Sequence, residues 1–238
     1  YLIYHHWSVK QRELEYEKLR QEETLSAATE TVIAEPETEE STEETVIYCD
    51  PVYDFGQLHE QNEDIYAWIV VPGTQVDYPL LQSGTDNYYL DYNLDHSKGY
   101  PGCIYTNQCN RKDFSDYNTV LYGHNMKNLS MFGSLKKYKT EDFYKDHQFF
   151  TIYTSECAYR YQIFAYYDVP ETDEVYTVGF APDETFQKFI DKMKQKSYDD
   201  TGVNVTKDDH IMTLSTCSTT GKRFVVHAVR IGEHALEK

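Results

Sequence analysis

Residues 211–231 read IMTLSTCSTTGKRFVVHAVRI, which are two alternating runs of apolar and polar residues separated by a short polar segment. Such runs are typical of strands, and Gly221 in the segment between them favours a turn, so the pattern predicts a β-hairpin. In that hairpin Cys217 ends the first strand and lies opposite Arg223, which opens the second. Opposed residues of an antiparallel pair have Cβ atoms roughly 4.5–5.5 Å apart, so the thiol and the guanidinium would share one surface.

Similar runs recur along the rest of the chain from about residue 48, and turn residues separate them. Many short strands with turn signals predict a closed barrel or a sandwich. Two stretches have helical spacing instead: residues 130–138, and residues 182–196, which begin with Pro182 and acidic residues and carry an apolar stripe along one face. The predicted strands before the hairpin lie at 67–71, 76–82, 102–106, 119–122, 149–153, 159–167 and 174–178.

The composition excludes several classes of protein. The chain has 238 residues, with 22 Lys and Arg against 40 Asp and Glu, and a formal net charge of −18. Nucleic acid and anionic lipid both require a basic face, so neither is predicted as the main partner. Five cysteines are too few for a disulfide scaffold of this size. No cofactor and no metal site is expected.

The N-terminal part differs from the rest. Residues 21–46 contain nine Glu and no Lys or Arg, so they cannot bury enough apolar surface to fold and are predicted to form a flexible acidic linker. Before it, the aromatic start Tyr1 to Trp7 is typical of the interfacial end of a membrane anchor, although it is too short to span. We therefore divide the chain into a juxtamembrane segment with a short helix (1–20), the linker (21–46) and a folded domain (47–238).

A third candidate catalytic residue is His124. It follows an apolar strand and Gly123, so it would lie at the end of that strand rather than in the core. It lies 93 residues before Cys217, so its proximity to the hairpin does not follow from spacing. Taken singly, such residues are more often structural: a lone Cys is usually a small buried hydrophobe, a lone His is usually structural, and an Arg at a strand start is usually solvated. Cys103, Cys109 and Cys157 are expected to be inert.

Together, these segments resemble the sortase family, and specifically its class B group. The run Thr213 to Cys217 is similar to the sortase signature around the nucleophile, Arg223 falls where these enzymes carry their essential Arg, and Tyr122 to Met126 is similar to the segment of the catalytic His. The resemblance extends over about residues 50–233. It implies a mainly β fold: a closed eight-stranded barrel with peripheral helices, including an N-terminal helical part and a helix in the insertion before the Cys strand.

The resemblance also implies roles. Cys217 would attack the carbonyl of a C-terminal sorting signal, His124 would act as general acid and base, and Arg223 would hold substrate carbonyls and the oxyanion. Ser215, Thr216 and Ser218 would bind substrate. Ser218 stands where some class B members carry an acidic residue, which leaves the local substrate contacts open.

The partners implied are secreted proteins with a sorting signal of the LPXTG or NPQTN type, and an amine of a peptidoglycan precursor or a pilin. The implied location is the outer face of a Gram-positive cell membrane, with a single N-terminal anchor. Two alternatives stay open: a cell-wall cysteine peptidase or hydrolase, and a non-enzymatic surface-tethered β-domain. Papain-like hydrolases usually place Cys at a helix N-terminus and before His in the chain, whereas here Cys217 ends a strand and follows His124.

Overall fold

The structure is a computed structural model that describes residues 2–22, 24–25, 50–140 and 142–236. Within these residues the strands are β1 (Thr24–Leu25), β2 (Val52–Tyr53), β3 (Ile65–Val70), β4 (Asp77–Leu81), β5 (Ile104–Thr106), β6 (Asn118–Tyr122), β7 (Phe149–Tyr153), β8 (Cys157–Pro170), β9 (Ile211–Cys217) and β10 (Lys222–Ala235). The helices are α1 (Leu2–Glu22), α2 (Phe55–Gln61), α3 (Tyr88–Asp91), α4 (Phe143–Asp146) and α5 (Glu184–Lys196). Two 3₁₀ helices cover Gly133–Lys139 and Glu174–Tyr176.

Eight of these strands close into a barrel, in the order β10-β8-β7-β3-β4-β5-β6-β9. The mainly β fold with peripheral helices, expected from the sequence, is therefore confirmed. Most neighbouring strands run antiparallel, but β4 pairs with β5 and β6 pairs with β9 in parallel. The β6–β9 pair joins segments far apart in the sequence, and it matters most for the site because it brings the end of β6 beside the end of β9.

The hairpin of β9 and β10 has the predicted register, with Arg223 opposite Cys217. Successive side chains of β9 point to opposite faces, as the pleat requires. Met212 and Leu214 pack in the main hydrophobic core, whereas Ile211 packs in a second cluster beneath α5. Ser215 and Cys217 therefore share the face of Ile211, outside the main core.

The insertion between β8 and β9 carries α5 and covers this outer face. Asp183 caps the helix by accepting hydrogen bonds from the backbone amides of Thr185 and Phe186. The apolar stripe of α5 is buried, which confirms the predicted helix. The buried residues of the stripe are Phe186, Phe189, Ile190 and Met193.

One predicted strand is wrong: residues 174–178 form a 3₁₀ turn at Glu174–Tyr176 instead. The side chain of Asp173 accepts a hydrogen bond from the Val175 amide at 3.2 Å. A side-chain cap of this kind favours a turn over an extended strand, because it satisfies locally an amide that a strand would use in a ladder.

Helix α1 packs against the barrel rather than standing apart from it. Tyr16 and Leu19 are buried, and the Tyr16 ring meets Tyr78 edge to face with ring centroids 5.1 Å apart. The Tyr16 hydroxyl donates to the carbonyl oxygen of Gly102 at 3.2 Å, and Arg20 Nε donates to the carbonyl oxygen of Asp77 at 2.8 Å. No helix in the described ranges is both long and apolar enough to cross a membrane. Most of the predicted linker, residues 21–46, lies outside the described residues.

Candidate active site

A cleft of about 510 Å³ opens where β6 and β9 end and β10 begins. Cys217, His124 and Arg223 all line it, so three segments that are distant in the sequence meet at one opening. Ser215 lines it as well. The further lining residues, none of them chosen from the sequence as site residues, are Asp86, Asn87, Leu90, Tyr105, Asn107, Tyr122, Gly123, Glu171 and Tyr176.

Cys217 is exposed, as a nucleophile must be, and the hairpin register fixes its position relative to Arg223. Its backbone carbonyl accepts a hydrogen bond from Asn125 Nδ2 at 2.7 Å. Asn125 follows His124 directly, so this bond ties the histidine segment to the end of the cysteine strand. The other described cysteines, Cys103, Cys109 and Cys157, are also free thiols, but none lines the cleft.

His124 reaches the cleft because β6 runs parallel to β9. Tyr122 pairs with Ser215, and the Gly123 amide continues the ladder by donating to the Ser215 carbonyl oxygen at 3.2 Å. The next residue, His124, then leaves the sheet beside the end of β9. Its carbonyl oxygen accepts from the Phe132 amide at 3.0 Å, which holds the loop in place.

Within the part of the chain that the structure describes, the His124 imidazole has one hydrogen-bond partner. His124 Nε2 lies 2.7 Å from the carbonyl oxygen of Leu90 in α3. A carbonyl oxygen only accepts, so Nε2 carries the proton in this contact and Nδ1 is the nitrogen free to exchange one. The ring also packs against Tyr100, with centroids 4.8 Å apart.

Arg223 is half-buried at the start of β10. Its Nη2 lies 3.1 Å from Glu171 Oε2 at the end of β8, and its Nη1 donates to the Lys222 carbonyl oxygen at 3.3 Å. The guanidinium has five N–H groups in a planar fork, so these two contacts orient it without using all of its donors. Arg223 thus faces the cleft with a carboxylate beside it.

The three predicted substrate-binding residues lie in different surroundings. Ser215 is in the cleft, where its Oγ lies 3.0 Å from the Tyr176 hydroxyl. Thr216 is buried on the opposite face of β9, and its Oγ1 has no hydrogen-bond partner among the described residues. Ser218 accepts a hydrogen bond from Lys139 Nζ at 2.9 Å, outside the cleft lining. Of these three residues, the structure therefore brings only Ser215 into the cleft that Cys217 lines.

Several tyrosine side chains line the walls of the cleft, and the sequence pattern did not indicate them as site residues. Burial raises the pKa of Tyr105, Tyr122 and Tyr176, so each remains an uncharged hydroxyl at neutral pH. Such groups can pack against a peptide and still exchange hydrogen bonds with it. No pattern in the sequence marks Tyr176, because it reaches the cleft from the insertion. Among the described residues, no group of three or more His, Cys, Asp or Glu is placed to hold a metal ion.

Comparison with known proteins gives a consistent result. A family model described as the sortase domain matches residues 69–231. Sortase B of Listeria monocytogenes is 39% identical over 163 residues, covering 68% of this chain and 66% of that protein, and sortase B of Staphylococcus aureus is 36% identical over 178 residues, covering 73% of each. The structure of the Staphylococcus aureus sortase B–substrate complex superposes with a TM-score of 0.75 at 31% identity, covering 93% of this chain and 97% of that one.

The family model spans more than half of the chain, the identities exceed 30%, and the superposition on the sortase B–substrate complex has a TM-score of 0.75. The chain therefore belongs to the sortase family, and within that family to the class B sortases.

Proposed function

We propose that this protein is a cysteine transpeptidase that cleaves a sorting signal near the C-terminus of secreted proteins and joins the new carboxyl end to an amine. The observation that carries the proposal is the convergence of Cys217, His124 and Arg223 on one open cleft. A thiol, an imidazole and a fixed guanidinium are the nucleophile, the acid–base group and the oxyanion donor that acyl transfer requires.

In the first half of the reaction, the thiol proton of Cys217 passes to His124, and Cys217 Sγ forms a bond to the carbonyl carbon of the scissile peptide bond. As that C–N bond breaks, His124 gives a proton to the leaving amine, and a thioester remains on the cysteine. In the second half, the nitrogen of an acceptor amine attacks the thioester, His124 takes its proton, and the thiolate of Cys217 leaves. Atoms and charge balance over the two halves without a further reagent.

The contact between His124 Nε2 and the Leu90 carbonyl oxygen supports a proton transfer through Nδ1. Because Nε2–H donates to a backbone carbonyl oxygen at 2.7 Å, the ring is oriented by the same bond that fixes its tautomer. A second group that orients the base is a recurring feature of nucleophilic catalysis. In this chain a main-chain oxygen takes that role, so no carboxylate is required there.

Arg223 would hold the oxygen of the attacked carbonyl. Its fork lies across the hairpin from Cys217, and the register keeps the two groups on one face. A guanidinium keeps its charge at any relevant pH, so it stabilises the tetrahedral intermediate in both halves of the reaction. Tyr176 and Ser215 form the neighbouring wall, where the residues before the scissile bond would lie.

The proposed cellular location of this protein is the one common to its family. Sortases are cell-surface enzymes of Gram-positive bacteria, and we propose the same location here. A membrane anchor that ends near Trp7 is part of this proposal and rests on the sequence alone. The acceptor is proposed to be an amine of a peptidoglycan precursor or of a pilin.

The test is single-turnover mixing of the enzyme with peptides of the LPXTG and NPQTN types, followed by mass spectrometry, with and without an amine acceptor. We expect a thioester adduct on Cys217, and a ligated product only when the amine is present. Cys217→Ala is the matched control and should give neither. Release of a free acid at a rate that no amine changes would instead identify a hydrolase, and absence of an adduct with every peptide would contradict the proposal.

A further inference from the structure

A line of buried hydrogen bonds runs behind the cleft, between the barrel wall and the insertion. It joins Asn118 on β6, Thr213 on β9, His227 on β10 and Tyr167 on β8. Asn118, Thr213 and His227 are fully buried, and Tyr167 is 1% exposed. None of the four lines the cleft, so the proposed chemistry leaves this network unexplained.

The direction of each bond can be assigned. Asn118 Nδ2 faces two backbone carbonyls, so its Oδ1 must accept, and the Thr213 hydroxyl donates to it at 2.9 Å. Thr213 Oγ1 then accepts from His227 Nδ1 at 3.0 Å, which leaves His227 Nε2 as the acceptor for the Tyr167 hydroxyl at 3.0 Å. Complete burial lowers the pKa of His227 to about 3, consistent with this neutral tautomer.

The network ends on the turn that carries Tyr176. Asn118 Nδ2 donates to the carbonyl oxygen of Thr177 at 2.8 Å and lies 3.4 Å from that of Val175. These are the residues on either side of Tyr176. One amide group thus contacts the carbonyl oxygens of both residues that flank Tyr176.

Tyr176 is the aromatic residue that this turn of the insertion contributes to the cleft. Its hydroxyl lies 3.0 Å from Ser215 Oγ, two residues before Cys217, and its ring stacks on Tyr122 with centroids 6.0 Å apart. A displaced Tyr176 would therefore change the wall next to the nucleophile.

The ion pairs that this turn makes with α5 hold it less strongly. Asp173 pairs with Lys196 at 2.9 Å and Glu174 with Lys192 at 2.9 Å, and both lysines are substantially exposed. Exposed ion pairs contribute little to holding a segment, whereas a buried amide that loses its carbonyl partners leaves them unsatisfied. Apart from the Tyr176–Ser215 contact itself, Asn118 thus makes the principal polar contact between this turn and the barrel among the described residues.

We propose that Asn118 is a positioning residue for substrate binding: through its bonds to the carbonyls of Val175 and Thr177, and held in orientation by Thr213 and His227, it sets Tyr176 against the cleft. The kinetic part of this inference rests on the proposed function, whereas the structural part, the placement of Tyr176, does not. The two parts are tested separately.

The kinetic test is a double-mutant cycle of Asn118→Ala and Tyr176→Ala, with acylation by a sorting-signal peptide as the readout. Asn118→Ala alone should lower kcat/KM roughly fivefold to tenfold, mainly through KM. In the Tyr176→Ala background the same change should alter kcat/KM less than twofold, although it still lowers the melting temperature. Lys192→Ala, which removes the exposed ion pair with Glu174 in the same turn, is the matched control and should leave kcat/KM unchanged. An equal loss in both backgrounds would overturn the proposal.

The structural test needs no turnover. With 3-fluorotyrosine at position 176, the ¹⁹F resonance should shift or broaden in Asn118→Ala and stay unchanged in Lys192→Ala. If Asn118→Ala does not fold, Thr213→Val keeps the side-chain shape, removes the donor to Asn118 Oδ1, and should act in the same direction. An unchanged resonance in a folded variant would refute the placement, while failure of the wild type to acylate would count only against the proposed function.

Discussion

The two sides of the cleft are built differently. On one side, Cys217 and Arg223 are six positions apart, on adjacent strands in register. On the other side, His124 stands two residues beyond the end of β6 and is held by loop contacts: the Leu90 carbonyl, the Phe132 amide and the neighbouring bond from Asn125 to Cys217. The strand side takes its geometry from the sheet. The histidine side depends on segments that must each fold correctly, so it should be the more sensitive to changes outside the cleft.

The largest expected effect is on the strand side. Cys217→Ala should abolish cleavage and transfer, because no other group can form the thioester. Ala at Cys49, Cys103, Cys109 or Cys157 should leave activity largely intact. Cys103 is the clearest control, since burial raises the pKa of its thiol to about 12 and keeps it protonated. If peptide cleavage by Cys217→Ala were comparable to wild type, Cys217 could not be the nucleophile.

Arg223→Lys should give the next largest effect. An ammonium keeps the charge beside Glu171 but cannot reproduce the donor fork, and loss of one oxyanion donor typically costs about 2.7–4 kcal/mol, or about 100- to 1000-fold in rate. Single-turnover acylation should fall by about that factor, while the thermal melt and the alkylation of Cys217 are retained. A rate within about threefold of wild type would remove Arg223 from the catalytic set.

The histidine side is tested by removing α1. This helix contacts segments that support His124: Arg12 pairs with Asp95 at 2.8 Å, and Glu13 accepts a hydrogen bond from Asn128. Loss of the packing of Tyr16 and Leu19 should cost about 3–6 kcal/mol, which lowers the melting temperature by roughly 10 °C.

In such a truncation starting at Asp50, acylation should fall roughly tenfold, because His124 is displaced. Alkylation of Cys217 should be nearly unchanged, because the strand side keeps its register. Sequence analysis places the folded domain at residues 47–238, whereas the burial of Tyr16 and Leu19 predicts that α1 also contributes to its stability. A truncated protein with wild-type melting and acylation would show that α1 does not support the site.

The smallest effect is expected at Glu171. Its pair with Arg223 is half-exposed, and such pairs are worth about 0.2–1 kcal/mol. Glu171→Gln should therefore raise kcat/KM for the peptide by at most about fivefold, because the guanidinium no longer shares its donors with a carboxylate. Glu184→Gln, at an exposed pair with Lys207 far along the chain, serves as the control. A large loss of activity would show that Glu171 orients Arg223 rather than competing for it.

The same difference between the two sides explains what could be predicted from the sequence. The register of Cys217 and Arg223 followed from two alternating runs and the length of the turn between them, and the structure confirms it. Helix α5 followed from its apolar stripe and its cap. These features are local, so the residues that determine them lie within one or two dozen positions of each other.

The remaining features depend on long-range pairing. The parallel contact of β6 with β9 brings His124 to the cysteine, and no spacing rule indicates which strands will be neighbours in a barrel. Only the family resemblance placed His124 in the site. The sequence does not indicate Tyr176 for a similar reason. Its segment has the pattern of a strand, and it folds into a turn because the side chains of Asn118 on β6 and of the neighbouring Asp173 bond to its backbone.

The parallel pairing of Tyr122 with Ser215 also determines when the site can exist during synthesis. The two residues are 93 positions apart, and at about 5–20 residues per second a ribosome needs roughly 5–20 s to make the intervening chain. Contacts of such long range form late and slowly. Until β9 pairs with β6, the Cys217 thiol has no imidazole beside it, so the incomplete chain has a cysteine without its acid–base group. The return of activity on refolding therefore reports the closure of the barrel.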